Sequence, residues 1–241
     1  MKDYKLGFIS NENIYKHVKE TVSLYRNKID LKQFNDNIVD PIKLTFDSKI
    51  YGKSFEEIIE SECIRQIDKT NTNHIGYFHQ NLFKYVGNGW VVPSKGFDII
   101  NDKLHIYAEL KNKHNTMNSG AATSVYASMQ NKILHDDQAI CMLVEVIATK
   151  SKNEKWYKNG LSHEKIRRVS IDQFYGIVFK DNEAFFKLCK ALPDILDDVI
   201  KELKKGHIEN SVYRELYELS PDTFKSLYLL AFKTYEGFQN F

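Results

Sequence analysis

Cysteine is scarce in this chain, and what there is does not pair. Cys63, Cys141 and Cys189 are odd in number and widely spaced, with no Cys-x-x-Cys among them. That argues against a disulfide framework and against a structural zinc site, and it fits a reduced cytoplasm. Long apolar runs are missing too. Stretches such as Ala139 to Val144 are far too short to cross a bilayer. The opening Met1-Lys2-Asp3-Tyr4-Lys5 has none of the apolar character of a secretory signal. There is no G-x-x-x-x-G-K-[ST] loop, which speaks against an ATP-driven enzyme, and no G-x-S-x-G elbow of a serine hydrolase. His74 and His79 are five apart, which matches neither a helical zinc pair nor an alternating strand. No internal repeat, low-complexity tract or clear linker interrupts the chain.

What is present is an ordinary globular composition: 241 residues, 42% apolar and 27% charged. That length is enough for a single domain with one sizeable core. The net charge of +2 is uninformative, but its distribution is not. Between Lys150 and Arg168 there are seven Lys or Arg residues against Glu154 and Glu164, whereas acids predominate from Asp194 to Glu218. A one-sided phosphate-binding surface and a solvated basic loop are both compatible with that pattern.

The spacing of apolar residues predicts a helical part over residues 1–85, an α/β core over 86–175 and a helical part over 176–241. Helices are expected at Asn11–Arg26 and Leu31–Ile38, with Pro41 as a break. Ser54 and Glu57 form a capping box that opens a helix expected to end near Lys69, before the polar Asn71-Thr72-Asn73. After Gly87-Asn88-Gly89, strands are expected at Trp90–Val92, Phe97–Ile100 and Leu104–Leu110. A polar stretch from Lys111 to Ser119 follows. Next come a helix over Ala121–Leu134, a strand over Ala139–Ile147, a basic loop and a short strand over Arg167–Val169. Pro193 and Pro221 punctuate the helices of the remainder. Helix, hairpin, helix, strand is the order of an α/β fold with a mixed central sheet.

The chemistry concentrates in Leu104-His105-Ile106-Tyr107-Ala108-Glu109-Leu110-Lys111. Strand alternation puts His105, Tyr107, Glu109 and Lys111 on one face. If the hairpin turns around Lys103–Leu104, Asp98 lies directly across from Glu109 and shares that face. A tight turn at Asn101-Asp102 would instead pair Asp98 with His105 and leave Glu109 about 13 Å further along the strand. Two carboxylates beside an ammonium suit phosphodiester hydrolysis: the acids hold Mg²⁺, and the lysine orients water or stabilises developing charge. An acid-x-lysine pair alone is equally common on exposed strands.

These residues carry a resemblance. Gly96-Phe97-Asp98 followed by Ala108-Glu109-Leu110-Lys111 resembles the P-D…(D/E)-x-K nuclease superfamily, with Phe97 where proline is usual. The stretch Glu109-Leu110-Lys111-Asn112-Lys113-His114-Asn115-Thr116-Met117-Asn118-Ser119 resembles type II restriction endonucleases that cut GGNCC, as does Arg167 to Tyr175. The resemblance implies a restriction-endonuclease-like fold and Mg²⁺-dependent double-strand cleavage leaving 5′-phosphate and 3′-hydroxyl ends. It implies a homodimer matched to a palindrome, and a host cytosine methyltransferase that protects the same sites. The ligands expected for the ion are Asp98, Glu109 and the backbone carbonyl of Leu110. Glu62, inside the apolar stripe of its helix, is either a further acid or a glutamate paired to an arginine. Lys113, His114, Asn115, Asn118 and Ser119 are expected to meet DNA. Arg167 and Arg168 are expected to read guanines, clamp phosphates, or form a surface pair. Trp156 and Tyr157, set between Lys155 and Lys158, either lie along DNA or pack on the body. A structure-selective repair nuclease sharing the same triad, and a DNA-binding protein without activity, are the alternatives.

Overall fold

The computed structural model describes residues 2–113, 117–204, 207–234 and 238. In chain order the first elements are α1 (Asn11–Leu24), β1 (Lys28–Ile29), α2 (Leu31–Asn35), α3 (Pro41–Tyr51) and α4 (Phe55–Leu82). There follow β2 (Trp90–Val91), β3 (Ile99–Asn101), β4 (Ile106–Lys113), α5 (Ser119–His135), β5 (Ile140–Ile147), β6 (Asn153–Lys155) and β7 (Ile166–Ser170). The chain finishes with α6 (Ile171–Phe179), α7 (Ala184–Leu203), β8 (Glu209–Asn210), α8 (Val212–Leu219) and α9 (Thr223–Phe232). They form two compact units, one of residues 1–23 and 75–204, the other of 24–74 and 205–241.

The first unit holds a six-stranded mixed sheet in the order β2-β3-β4-β5-β7-β6. β4, β5 and β7 run parallel; the remaining pairs are antiparallel. With helices on the sheet's faces, this is the α/β architecture that the sequence predicts. On one face Ala108, Met142, Val144 and Val169 join Ile14, Phe174, Tyr175 and Leu188 in the larger core. On the other, Tyr107, Cys141, Leu143 and Ile166 pack against Tyr126 and Met129 of α5. Trp156 is buried there against Tyr126, whereas Tyr157 is exposed. In the second unit, β1 and β8 make a short parallel pair over a core that includes Phe34, Leu44, Ile59, Cys63 and Leu216. Among the described residues no helix is long and apolar enough to cross a membrane.

Three expectations about elements are corrected. Pro41 does not break a helix; it starts α3, where Asp40 caps the backbone N–H groups of Ile42 and Lys43. The helix opened by the Ser54–Glu57 capping box does not stop at Lys69 but continues to Leu82. The Asn71 side chain is occupied by the backbone N–H and carbonyl of Arg26, so it does not compete for the helix's own hydrogen bonds. Pro193 lies inside α7, whose continuity is kept by burial of Leu188, Ile195 and Val199 despite a typical cost of about 3 kcal/mol.

Candidate active site

The β3–β4 connection decides where the acids fall. Asn101, fully buried, accepts from the Leu104 N–H and donates to the Asn88 carbonyl, so one side chain fixes both this turn and the preceding one. A Cβ at Gly89, where φ is +87°, would come within 3.1 Å of that same amide oxygen. A single 3-10 turn, Asp102–Leu104, then ends on His105 at φ 52°, in the left-handed region. His105 Nδ1 lies 2.8 Å from Asp136, and Tyr107 donates to Asp102 at 2.9 Å; these contacts hold the turn in that conformation. The resulting register pairs Ile99 with Ala108 and Asn101 with Ile106. One further step places Asp98 opposite Glu109, the longer of the two loop alternatives.

Asp98 is held from both sides. Its Oδ2 accepts from the Leu110 N–H at 2.7 Å, and its Oδ1 accepts from Gln80 Nε2 at 3.3 Å. Gln80 also donates to the Asp98 carbonyl at 3.3 Å. Gln80 belongs to the last turns of α4, the part of that helix beyond its expected end, so the sequence reading missed it. Lys111 Nζ is 2.6 Å from Glu109 Oε1, and both side chains are partly exposed. Burial pushes the Glu109 carboxyl above its ordinary range; Lys111 opposes the shift and the nearby Asp98 charge reinforces it.

The donors gathered here are hard oxygens, which suit Mg²⁺ rather than a thiolate- or imidazole-seeking metal. Among the described residues no three His, Cys, Asp or Glu side chains gather as metal ligands. Two carboxylates and the Leu110 carbonyl match Mg²⁺ nonetheless, because that ion keeps several waters and takes its remaining contacts from substrate phosphate. The Glu109 carboxylate, disfavoured by burial and by Asp98, gains from any added cation.

The other expected residues are placed as follows. Glu62 is buried, gripped by Arg65 through two 2.6 Å bonds and by Gln66 at 3.1 Å. Lys113 ends β4; Asn118 caps α5 by accepting from the Ala121 N–H; exposed Ser119 opens that helix. His114 and Asn115 lie outside the described residues. Arg168 shares the sheet face of Glu109 and Lys111, since Glu109, Leu143 and Arg168 are aligned Cα partners across β4, β5 and β7. Arg167 therefore faces the opposite side, where it bonds Asn153 and the Glu164 carbonyl.

Residues 6–201 match the family model described as Eco47II restriction endonuclease. The type II restriction enzyme Sau96I of Staphylococcus aureus is 33% identical over 90% of this chain and 90% of its own length. The type II restriction enzyme Eco47II of Escherichia coli is 28% identical over 82% of this chain and 89% of its own.

Proposed function

The chain belongs to the Eco47II restriction endonuclease family and is a type II site-specific deoxyribonuclease; we propose that it cuts both strands of GGNCC, or a close relative, with Mg²⁺ at Asp98, Glu109 and Lys111. The observation that carries this reading is the hairpin register, which sets Asp98 opposite Glu109 with Lys111 2.6 Å from Glu109. Asp98, Glu109 and the Leu110 carbonyl would hold the ion, leaving 5′-phosphate and 3′-hydroxyl ends. When bound, Mg²⁺ supplies charge stabilisation at the phosphate under attack. Lys111, 2.6 Å from Glu109, would offer its ammonium to the attacking water or to a phosphate oxygen. Gln80 and the Leu110 N–H keep Asp98 from rotating away. Lys113 at the end of β4, and Asn118 and Ser119 at the start of α5, would meet the DNA. Their neighbours His114 and Asn115 belong to the same proposed contact. A homodimer follows from a palindromic target, as each strand needs its own site. A cytosine methyltransferase of the same specificity is the expected functional partner in the host.

The direct experiment digests an unmethylated phage DNA of known sequence with the purified protein, in Mg²⁺ and in EDTA, and sequences the ends. Discrete Mg²⁺-dependent fragments ending at GGNCC or a close relative are expected. Fragments at an unrelated site would refute the specificity, and cutting only at branched DNA would refute the reading as a whole. A second expectation concerns Gln80. Gln80→Ala should raise the Mg²⁺ concentration needed for half-maximal cutting about tenfold, the usual cost of losing a partner that orients a metal ligand. An unchanged Mg²⁺ titration would mean that the Leu110 N–H alone suffices to hold Asp98.

A further inference from the structure

The sheet face that carries Glu109 and Lys111 bears a second group of charges. Glu145 on β5 is 0% exposed, with Lys111 of β4 as its Cα partner on one side and Ser170 of β7 on the other. Two cations close on its carboxylate. Arg168 approaches Oε1 through Nε at 3.1 Å and through Nη2; Lys152 Nζ stands 2.9 Å from Oε2. The Lys152 side chain is only 7% exposed, and its backbone is tied down. Its N–H donates to Ser170 Oγ at 2.9 Å, and its carbonyl accepts from the Ser170 N–H at 2.9 Å.

One cation would have neutralised Glu145. With two, the three side chains carry a net charge of +1. Glu154, 4.0 Å from Lys152 and across from Arg168 on β6, is itself met by Lys150 at 3.7 Å, so the excess is kept. The outermost of the three is Arg168, 29% exposed. Glu145 occupies the Nε–Nη2 edge of the guanidinium, and among the described residues Nη1 has no hydrogen-bond partner. The cross-strand row Glu109–Leu143–Arg168 puts Arg168 two interstrand spacings from Glu109, roughly 10 Å. The free end of that guanidinium therefore belongs to the same sheet face as Glu109 and Lys111, on a strand of the sheet rather than at the tip of a loop.

We infer that Arg168 binds a DNA phosphate neighbouring the scissile one. Glu145 acts as the positioning residue that fixes the guanidinium. Lys152 is the buried cation that cancels Glu145 so that the charge on Arg168 stays available. This rests on the reading of Asp98, Glu109 and Lys111 as the cutting site. It deepens that reading by assigning Arg168 to the backbone rather than to guanine, and by giving roles to Glu145 and Lys152.

The test measures binding of the wild type and variants to two duplexes, one with the cleaved site and one without it, across 50 to 200 mM salt without Mg²⁺. A wild type that neither binds nor cuts DNA would fault the nuclease reading itself. Given a functional wild type, Arg168→Gln should lower the slope of log affinity against log salt by about 0.9, the share of one phosphate. The loss should be equal on both duplexes, with KM raised and kcat little changed. Glu145→Gln should weaken binding alone yet add nothing to Arg168→Gln, since both act through one contact. Lys152→Gln should weaken binding at low salt and lose that effect at high salt; it also decides the matter if Arg168→Gln does not fold. An unchanged slope in folded Arg168→Gln, or unchanged low-salt binding in Lys152→Gln, would overturn the inference. So would a loss confined to the duplex with the site, which would make Arg168 a base reader.

Discussion

Alanine at Asp98, Glu109 or Lys111 is expected to slow cleavage at least about a thousandfold while DNA binding survives, because each removes preorganised charge at the reacting phosphate. The three are not interchangeable. Asp98→Ala strands the Leu110 N–H and Gln80, which both point at the missing carboxylate. Glu109→Ala frees Lys111 from the ion pair at 2.6 Å. Lys111→Ala leaves Glu109 with burial and the Asp98 charge both opposing its ionisation. Binding without Mg²⁺ should therefore tighten for the two acid variants, which lose a negative charge facing phosphates, and weaken slightly for Lys111→Ala. Plasmid cleavage and a gel-shift assay in EDTA measure the two effects separately. If Lys111→Ala cut within about tenfold of the wild type, less than a general acid or base usually contributes, the lysine would have no part in the chemistry.

The second large effect is on stability in acid. Burial, with a smaller contribution from His17, pushes the His79 imidazole down to about 4. Its Nδ1 is buried without a hydrogen-bond partner, and the ring sits edge-on to Phe78. His17, buried on α1 and bonded to the Phe78 carbonyl at 2.8 Å, is shifted down as well, again chiefly by burial. A depressed value in the folded state means that the unfolded chain takes up the proton first. Stability is thus complete above about pH 6.5 and declines as the pH falls toward 4, by about 3 kcal/mol for His79. Replacing His79 with Leu should abolish most of the drop in melting temperature between pH 7.5 and pH 5. An equal drop in both proteins would show that His79 stays neutral at no cost, or is solvated. Because His79 precedes Gln80, loosening of this turn of α4 in acid also bears on the grip on Asp98.

Alternation along Leu104–Lys111 was enough to find the Glu109 and Lys111 face, because period-two geometry is local and needs no knowledge of neighbours. Asp98 needed one assumption, the length of the turn, and the 3-10 turn with its left-handed His105 satisfies it. Gln80 was out of reach. It touches Asp98 only because α4 continues past Asn71, whose side chain bonds the backbone of Arg26, a tertiary contact that no local pattern announces. Glu145 did leave a trace, a single acid in the otherwise apolar run from Ala139 to Ile147, and such an acid requires a partner. Its partners could not be read, since Lys152 lies in a loop and Arg168, on the neighbouring strand β7, depends on parallel pairing across a long connection. For Glu62 both its position on an apolar stripe and pairing to an arginine were legible, and Arg65 is that arginine, whereas the bond to Gln66 was not. The second short edge strand, Asn153–Lys155, was hidden inside a basic segment that had only the composition of a loop.

The turn at Asp102–His105 has a bearing on how this sequence can drift. Asp102 and His105 are engaged with Tyr107 and Asp136, whereas Lys103 and Leu104 are exposed and replaceable. The number of residues is not. Removing or adding one would slide β3 by a step against β4, and in a pleated strand a single step exchanges the two faces. Asp98 would then stand across from Ala108 or Leu110, and its carboxylate would be turned toward the apolar core. Inheritance of this segment is therefore expected to tolerate spelling changes at its two exposed positions while refusing insertions and deletions, with the enzyme's activity resting on a count.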